Sequence, residues 1–198
     1  SELILMTMEA LLEPGDEVLL PAPDYPLWTA GVVIAGGKPV YYPCRPEAKF
    51  IPDPEEVASL VGPRCKALVL VNPNNPTGAV YPREVVEGLV RVAEQRQIPI
   101  FSDEIYDRVL YGDAKHTPAA SLCEHTLCAT FGGLSKVYRA CGFRTGWVFF
   151  SGRRDHAGEY LNTLEMLASL RLCASVPGQW AVQTALGGVQ SIFDLTAP

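Results

Sequence analysis

No two of the six cysteines form a C-x-x-C pair, and the three histidines do not stand at zinc-finger spacing. A chain that is 48% hydrophobic needs no disulfide framework. Cys44, Cys65, Cys123, Cys128, Cys141 and Cys173 are therefore expected to be free, buried thiols of a reducing, cytoplasmic compartment. No run approaches the ~18–20 apolar residues of a membrane span. The opening SELILMTMEALL lacks the basic start of a signal peptide. The one Asn-x-Thr triplet, Asn75-Pro76-Thr77, carries the excluded proline. Positive charge is scarce: the net charge is −6, which argues against a nucleic-acid or membrane-surface partner. There is no internal repeat, low-complexity tract or linker. An initiating Met is also absent, and the first residues read as the middle of a helix. That points to a piece of a longer protein, with Leu195-Thr196-Ala197-Pro198 as the start of a continuation.

Two kinds of apolar segment are present. Short β-rich runs occur at Glu17–Pro21, Pro39–Tyr42, Lys66–Val71, Ile98–Ser102, Thr126–Phe131 and Gly146–Phe150. They lack polar alternation, which suits strands buried on both faces. Between them lie helix-length segments at Glu2–Leu12, Pro26–Ala35, Pro54–Val61 and Pro82–Gln97. In the last, Val85, Val86, Leu89, Val92 and Ala93 share one helical face, and Pro82 occupies a tolerated first-turn position. After Phe150, Leu161, Leu164, Leu167 and Ala168 suggest one long helix, and Pro177–Leu186 a second. Alternating strand and helix at this spacing predicts an α/β fold, a three-layer αβα arrangement around a mainly parallel sheet. Ligands of such sheets bind at the carboxyl ends of the strands.

Those ends carry Tyr25 in APDYP, Asn75 in NPNNPTG, Asp103 and Tyr106, Ser135 and Lys136 in GGLSK, and Arg144 before the last strand. Singly, each has a bland reading. Lys136 suits a solvated loop charge, Asn75 an Asx turn with Gly78 at positive φ, and Asp103 a helix cap. Tyr25 suits packing, and Arg144 a surface ion pair. Together they form a kit for pyridoxal phosphate (PLP). That cofactor needs an amine, a carboxylate at its pyridine nitrogen, donors to its phenolate oxygen, a cation and hydroxyls for its phosphate, and an aromatic face. No G-x-G-x-x-G or G-x-x-x-x-G-K-[ST] is present to support a nicotinamide reductase or a P-loop NTPase.

NPNNPTG, SDEIYDRVLY and GGLSKVYRACGFRTGW resemble the class I aminotransferases of PLP fold type I. The strings ELI-MEALL-GDEVLLPAPDYPLW and LEMLASLRLCASVP resemble the bacterial glutamate–pyruvate (alanine) branch of that family. The resemblance implies that the last strand is antiparallel, and that residues 1–198 are the PLP-binding large domain without its N-terminal segment or C-terminal small domain. It implies transamination between an amino acid, alanine foremost, and a 2-oxo acid, in a homodimer with no nucleic-acid or membrane partner. Lys136 would form the Schiff base and then move the Cα proton. Asp103 would pair with the pyridine nitrogen. Tyr106 and Asn75 would hold the phenolate oxygen, Tyr25 would stack on the ring, and Arg144, Ser135, Ser1 and Glu2 would bind the phosphate. Gly133 departs from the serine that many relatives carry three residues before the lysine, which leaves more of the phosphate to Ser135. A non-catalytic PLP-binding half of a transcriptional regulator and a PLP-dependent β-lyase share the same kit.

Overall fold

The computed structural model describes residues 1–195; the expected continuation at Thr196–Pro198 lies outside them. Six strands form one sheet: β1 (Glu17–Ala22), β2 (Lys38–Pro43), β3 (Cys65–Val71), β4 (Ile100–Asp103), β5 (Leu127–Gly133) and β6 (Gly146–Gly152), in the order β2-β1-β3-β4-β5-β6. The first five are parallel and β6 runs antiparallel to β5. The helices are α1 (Glu2–Glu9), α2 (Pro26–Ile34), α3 (Pro54–Ser59), α4 (Arg83–Arg96), α5 (Gly158–Leu170) and α6 (Val176–Gly187).

Side chains alternate across the pleat, so each central strand feeds two cores. Leu19, Leu68, Leu70 and Ile100 face one side, where Val86, Leu89, Val90 and Ala93 of α4 cover them. Val18, Leu20, Val69, Val71 and Phe101 face the other, beneath Ile4 and Met8 of α1 and Trp28 and Val32 of α2. This two-sided burial is why the central strands read as unbroken apolar runs, and it yields the expected three layers; the edge strands β2 and β6 are only partly buried, contrary to expectation, because each has a neighbour on one side alone.

Several boundaries shift. α1 ends at Glu9 rather than Leu12. Pro82 stands just before α4 as its N-cap, and Gln97 ends that helix in the left-handed region at φ 52°. β5 runs two residues past the expected Phe131 because Gly132 and Gly133 let β6 approach. A Cβ on Gly132 would lie 2.5 Å from Trp147 Nε1, and one on Gly133 would lie 3.0 Å from Thr145 O. On α5 the expected stripe is the covered side: Leu164 is buried and Leu161 and Leu167 are partly buried, while Ala168 and, off the stripe, Met166 and Leu170 are exposed. The thiols divide too. Cys44, Cys65, Cys123 and Cys128 are buried, but Cys141 and Cys173 are exposed, contrary to expectation. Among the described residues no helix is long and apolar enough to cross a membrane.

Gly152 closes β6 with φ at +71°, and a Cβ there would fall 2.2 Å from the Thr126 carbonyl oxygen. A side chain would meet both backbone strain and backbone contact. Gly152→Ala is expected to destabilise the full-length protein by roughly 1–3 kcal/mol, read as a lowered denaturant midpoint. An unchanged midpoint would show that the β6 terminus yields freely.

Candidate active site

Chain order reverses between β1 and β3, and the carboxyl ends of the parallel strands open there into a cavity of about 690 Å³. Because β6 is antiparallel, its first residues reach the same rim. Ser1, Glu2, Tyr25, Asn75, Asp103, Tyr106, Ser135, Lys136 and Arg144 all line this cavity. The structure thus brings together every residue singled out from the sequence.

Asp103 is the most deeply set, at 6% exposure. Trp28 Nε1 donates to its Oδ2 at 3.0 Å, and the Ile105 amide donates to Oδ1 at 3.3 Å. Trp28 is itself fixed by Phe131 and Phe101, with ring centroids 5.1 and 6.3 Å away. The helix that Asp103 was expected to cap does not form: residues 105–108 make a turn, and the Ile105 contact holds the start of that turn. Burial pushes its carboxyl above the ordinary range, while the two neutral donors pull the other way.

The NPNNPTG loop distributes its duties differently from expectation. Asn74, not Asn75, makes the Asx contact: its Oδ1 accepts from the Thr77 amide at 3.2 Å and from Thr77 Oγ1 at 2.8 Å. Asn72 Oδ1 accepts from the Tyr81 amide at 2.9 Å. Gly78 takes the expected positive φ, +73°. Asn75 is left with no side-chain hydrogen bond among the described residues, and it lines the cavity.

The loop after β5 alternates in the same way. Leu134 and Val137 are buried, which turns Ser135 and Lys136 outward to the cavity. The Leu134 amide donates to Thr145 O and the Ala140 amide to Leu134 O, each at 3.0 Å, so the loop is closed onto the start of β6. Lys136 Nζ stands 5.9 Å from the Tyr106 ring centroid. Arg144 adopts a left-handed backbone and donates from Nη1 to Cys141 O at 2.8 Å rather than to a surface carboxylate. Tyr25 is 37% exposed at the N-terminus of α2, a wall rather than a core position. Ser1 is the N-cap of α1, whose first turn lines the cavity, and the Glu2 carboxylate is engaged by Arg171 Nη1. Serine at position 133 would crowd Thr145 O, Gly146 Cα and Ile105 Cδ1, so glycine here follows from the tight β5–β6 pairing.

Sequence reasoning missed Trp28, Arg171 and Cys173. Trp28 sits three residues after Tyr25 on the following helix, a spacing that marks a shared face. Arg171 and Cys173 carried no local signal, since they reach the cavity through the turn after α5.

This donor set fits PLP. A buried carboxylate with two neutral donors suits a cationic ring nitrogen. Unpaired amide and phenol groups suit a ring oxygen. A helix N-terminus with Arg144 and Ser135 suits a phosphate.

Asp103 generates a pH prediction. Its folded carboxyl holds a proton more tightly than the unfolded chain does, whose value lies near ~4. Between those two values the folded state binds more protons, so this group makes stability fall as pH rises. In cofactor-free protein Asp103→Asn should flatten that fall, as measured by denaturant midpoints across the pH series. Parallel slopes in wild type and variant would contradict it.

Known proteins share this arrangement. The family described as aminotransferase class I and II matches residues 1–194. Over 198 residues the chain is 52% identical to glutamate-pyruvate aminotransferase AlaA of Escherichia coli (strain K12), covering 100% of this chain and 49% of that protein. It is 51% identical to alanine aminotransferase of Mycobacterium tuberculosis (strain ATCC 25618 / H37Rv) over 100% of this chain and 46% of that one. A solved aminotransferase structure from Escherichia coli superposes with a TM-score of 0.96 at 51% identity, over 100% of this chain and 49% of its own. Alanine aminotransferase from Pyrococcus furiosus superposes with 0.94 at 36% identity, over 98% and 49%. The chain spans about half the length of these relatives. PLP is the cofactor of the family they share. With the fold, the cavity and its lining residues in agreement, the chain belongs to the class I and II aminotransferases.

Proposed function

We propose that residues 1–198 are the PLP-binding large domain of an aminotransferase that exchanges amino groups between alanine and a 2-oxo acid of the pyruvate/2-oxoglutarate pair. The observation that carries this reading is the convergence of Lys136, Asp103, Tyr106, Asn75 and Arg144 on one cavity. The alanine and glutamate–pyruvate activities in the relatives' names support the substrate pair. The whole protein acts as a cytoplasmic homodimer with amino acid and 2-oxo acid as its small-molecule partners and no nucleic acid. The family resemblance and the net charge of −6 support those assignments.

When bound, PLP supplies an electron sink for the pair left at the substrate Cα. Asp103 holds a proton on the ring nitrogen, an interaction that strengthens as charge develops in the transition state. Asn75 and Tyr106 donate to the ring oxygen. Tyr25 covers one ring face. Arg144, Ser135 and the first amides of α1, at Ser1 and Glu2, bind the phosphate. Lys136 Nζ anchors the cofactor and moves the proton at the substrate Cα.

The full-length protein is expected to turn over alanine plus 2-oxoglutarate at ~1–10³ per second; absence of turnover, with other amino donors accepted, would reassign the substrate. Borohydride reduction of the holoenzyme should leave a pyridoxyl adduct on Lys136. Lys38, Lys49, Lys66 and Lys115 complete the lysines of this chain, so mass mapping separates them. An adduct on any of those four would remove Lys136 from its role. Arg144→Ala should weaken PLP binding by about one to two decades, the ~1.5–3 kcal/mol of a charge-assisted contact. Unchanged affinity with a lowered melting temperature would make Arg144 structural.

A further inference from the structure

Glu104 follows Asp103 directly, and successive residues of an extended segment point to opposite faces. Its carboxylate is therefore turned away from Trp28 and is buried at 8% exposure. Three donors meet it there. Ser102 Oγ lies 2.8 Å and the Ala119 amide 3.0 Å from Oε1, and His116 Nε2 lies 3.0 Å from Oε2. The Glu104 amide in turn donates to Phe131 O at 3.0 Å. Residues 105–118 form no helix or strand. Their two ends meet at this one carboxylate, since His116 and Ala119 lie at the far end and Ser102 on β4.

The segment closed in this way supplies walls to two cavities. Tyr106 lines the PLP cavity and also a second cavity of about 570 Å³, which Val109, Tyr111 and Ala114 line as well. The Tyr106 hydroxyl makes no hydrogen bond among the described residues, so no side-chain tether fixes its position. Its place is set by its backbone, two residues beyond Glu104, in a turn where the Asp107 amide donates to Glu104 O at 3.0 Å. A carboxylate that gathers three buried donors holds such a neck closed, because opening it would strand all of them away from water.

We propose that Glu104 is a positioning residue: by clamping Ser102, His116 and Ala119 it closes the neck of the 105–118 loop and fixes the Tyr106 phenol where it meets the cofactor's ring oxygen. This rests on the reading of Tyr106 given under Proposed function. Glu104 itself does not line the cavity. A phenol donor stabilises the deprotonated ring oxygen, so displacing Tyr106 should move the pH midpoint of the bound cofactor's visible absorption change upward.

The test is a double-mutant cycle on the full-length holoenzyme, read by that spectral midpoint and by PLP affinity rather than by turnover. Tyr106→Phe alone should raise the midpoint by about one pH unit, and Glu104→Ala by about half a unit. Glu104→Gln should recover most of the Glu104→Ala shift, because its amide oxygen still accepts from Ser102 and Ala119. In the Tyr106→Phe background Glu104→Ala should add nothing further. Should Glu104→Ala fail to accumulate as folded protein, His116→Ala removes a single donor and should give a smaller shift, again lost in the Tyr106→Phe background. An equal Glu104→Ala shift in both backgrounds, no shift, or a Gln variant displaced as far as the Ala variant would overturn the positioning role while leaving that of Tyr106 intact. No shift from Tyr106→Phe would overturn both.

Discussion

The hydrogen bond from Trp28 Nε1 to Asp103 joins packing to chemistry in one contact. Trp28 is fully buried, and its indole fills the core between α2 and the sheet against Phe101 and Phe131. The same ring presents its N–H to a carboxylate at the end of β4. A buried carboxylate is costly unless donors meet it, and Asp103 has two, both neutral. The seat of α2, the aromatic cluster and the acidic end of the cavity therefore stand or fall together. The charge left uncompensated at Asp103 is also what makes the cavity receptive to a cation.

A second constraint is the close approach of β5 and β6. Gly132 and Gly133 allow Trp147 and Gly146 to lie directly against them, and this pairing brings the antiparallel strand's first residues to the rim where the parallel strands end. The 134–145 loop is closed across that junction, and its two buried anchors, Leu134 and Val137, decide which way Ser135 and Lys136 face. The glycine at 133 and the burden on Ser135 are two consequences of one tight strand pair.

Neighbouring residues in these loops divide anchoring from exposure. Asn72 and Asn74 bind the loop's own backbone and leave Asn75 for the cavity. Glu104 faces its own cluster of donors and leaves Asp103 for the cavity. At the end of β4 the alternation of an extended backbone separates Asp103 from Glu104, and in the 72–78 loop a bend and a turn separate Asn74 from Asn75.

Much was readable from local pattern. Burial on both faces of the sheet writes apolar runs into β1, β3, β4 and β5, and the 3.6-residue period of Val86, Leu89 and Ala93 writes α4. The residues after each strand carried Tyr25, Asn75, Asp103, Lys136 and Arg144, since strand ends of a parallel sheet share one rim. What the sequence left open depends on contacts between residues far apart in the chain. The two extra residues of β5 exist because Trp147 packs on Gly132. Trp28 became part of the site through its hydrogen bond to Asp103, 75 residues further along the chain. The stripe of α5 marked both the helix and its covered side, but not the exposure of Met166 and Leu170, because periodicity reports which side chains share a face and not how far a neighbouring element covers it. Local propensity and spacing determined which segments are strands and helices and which residues crowd one rim; tertiary packing alone decided which of those residues face inward to hold the loops and which remain free to bind.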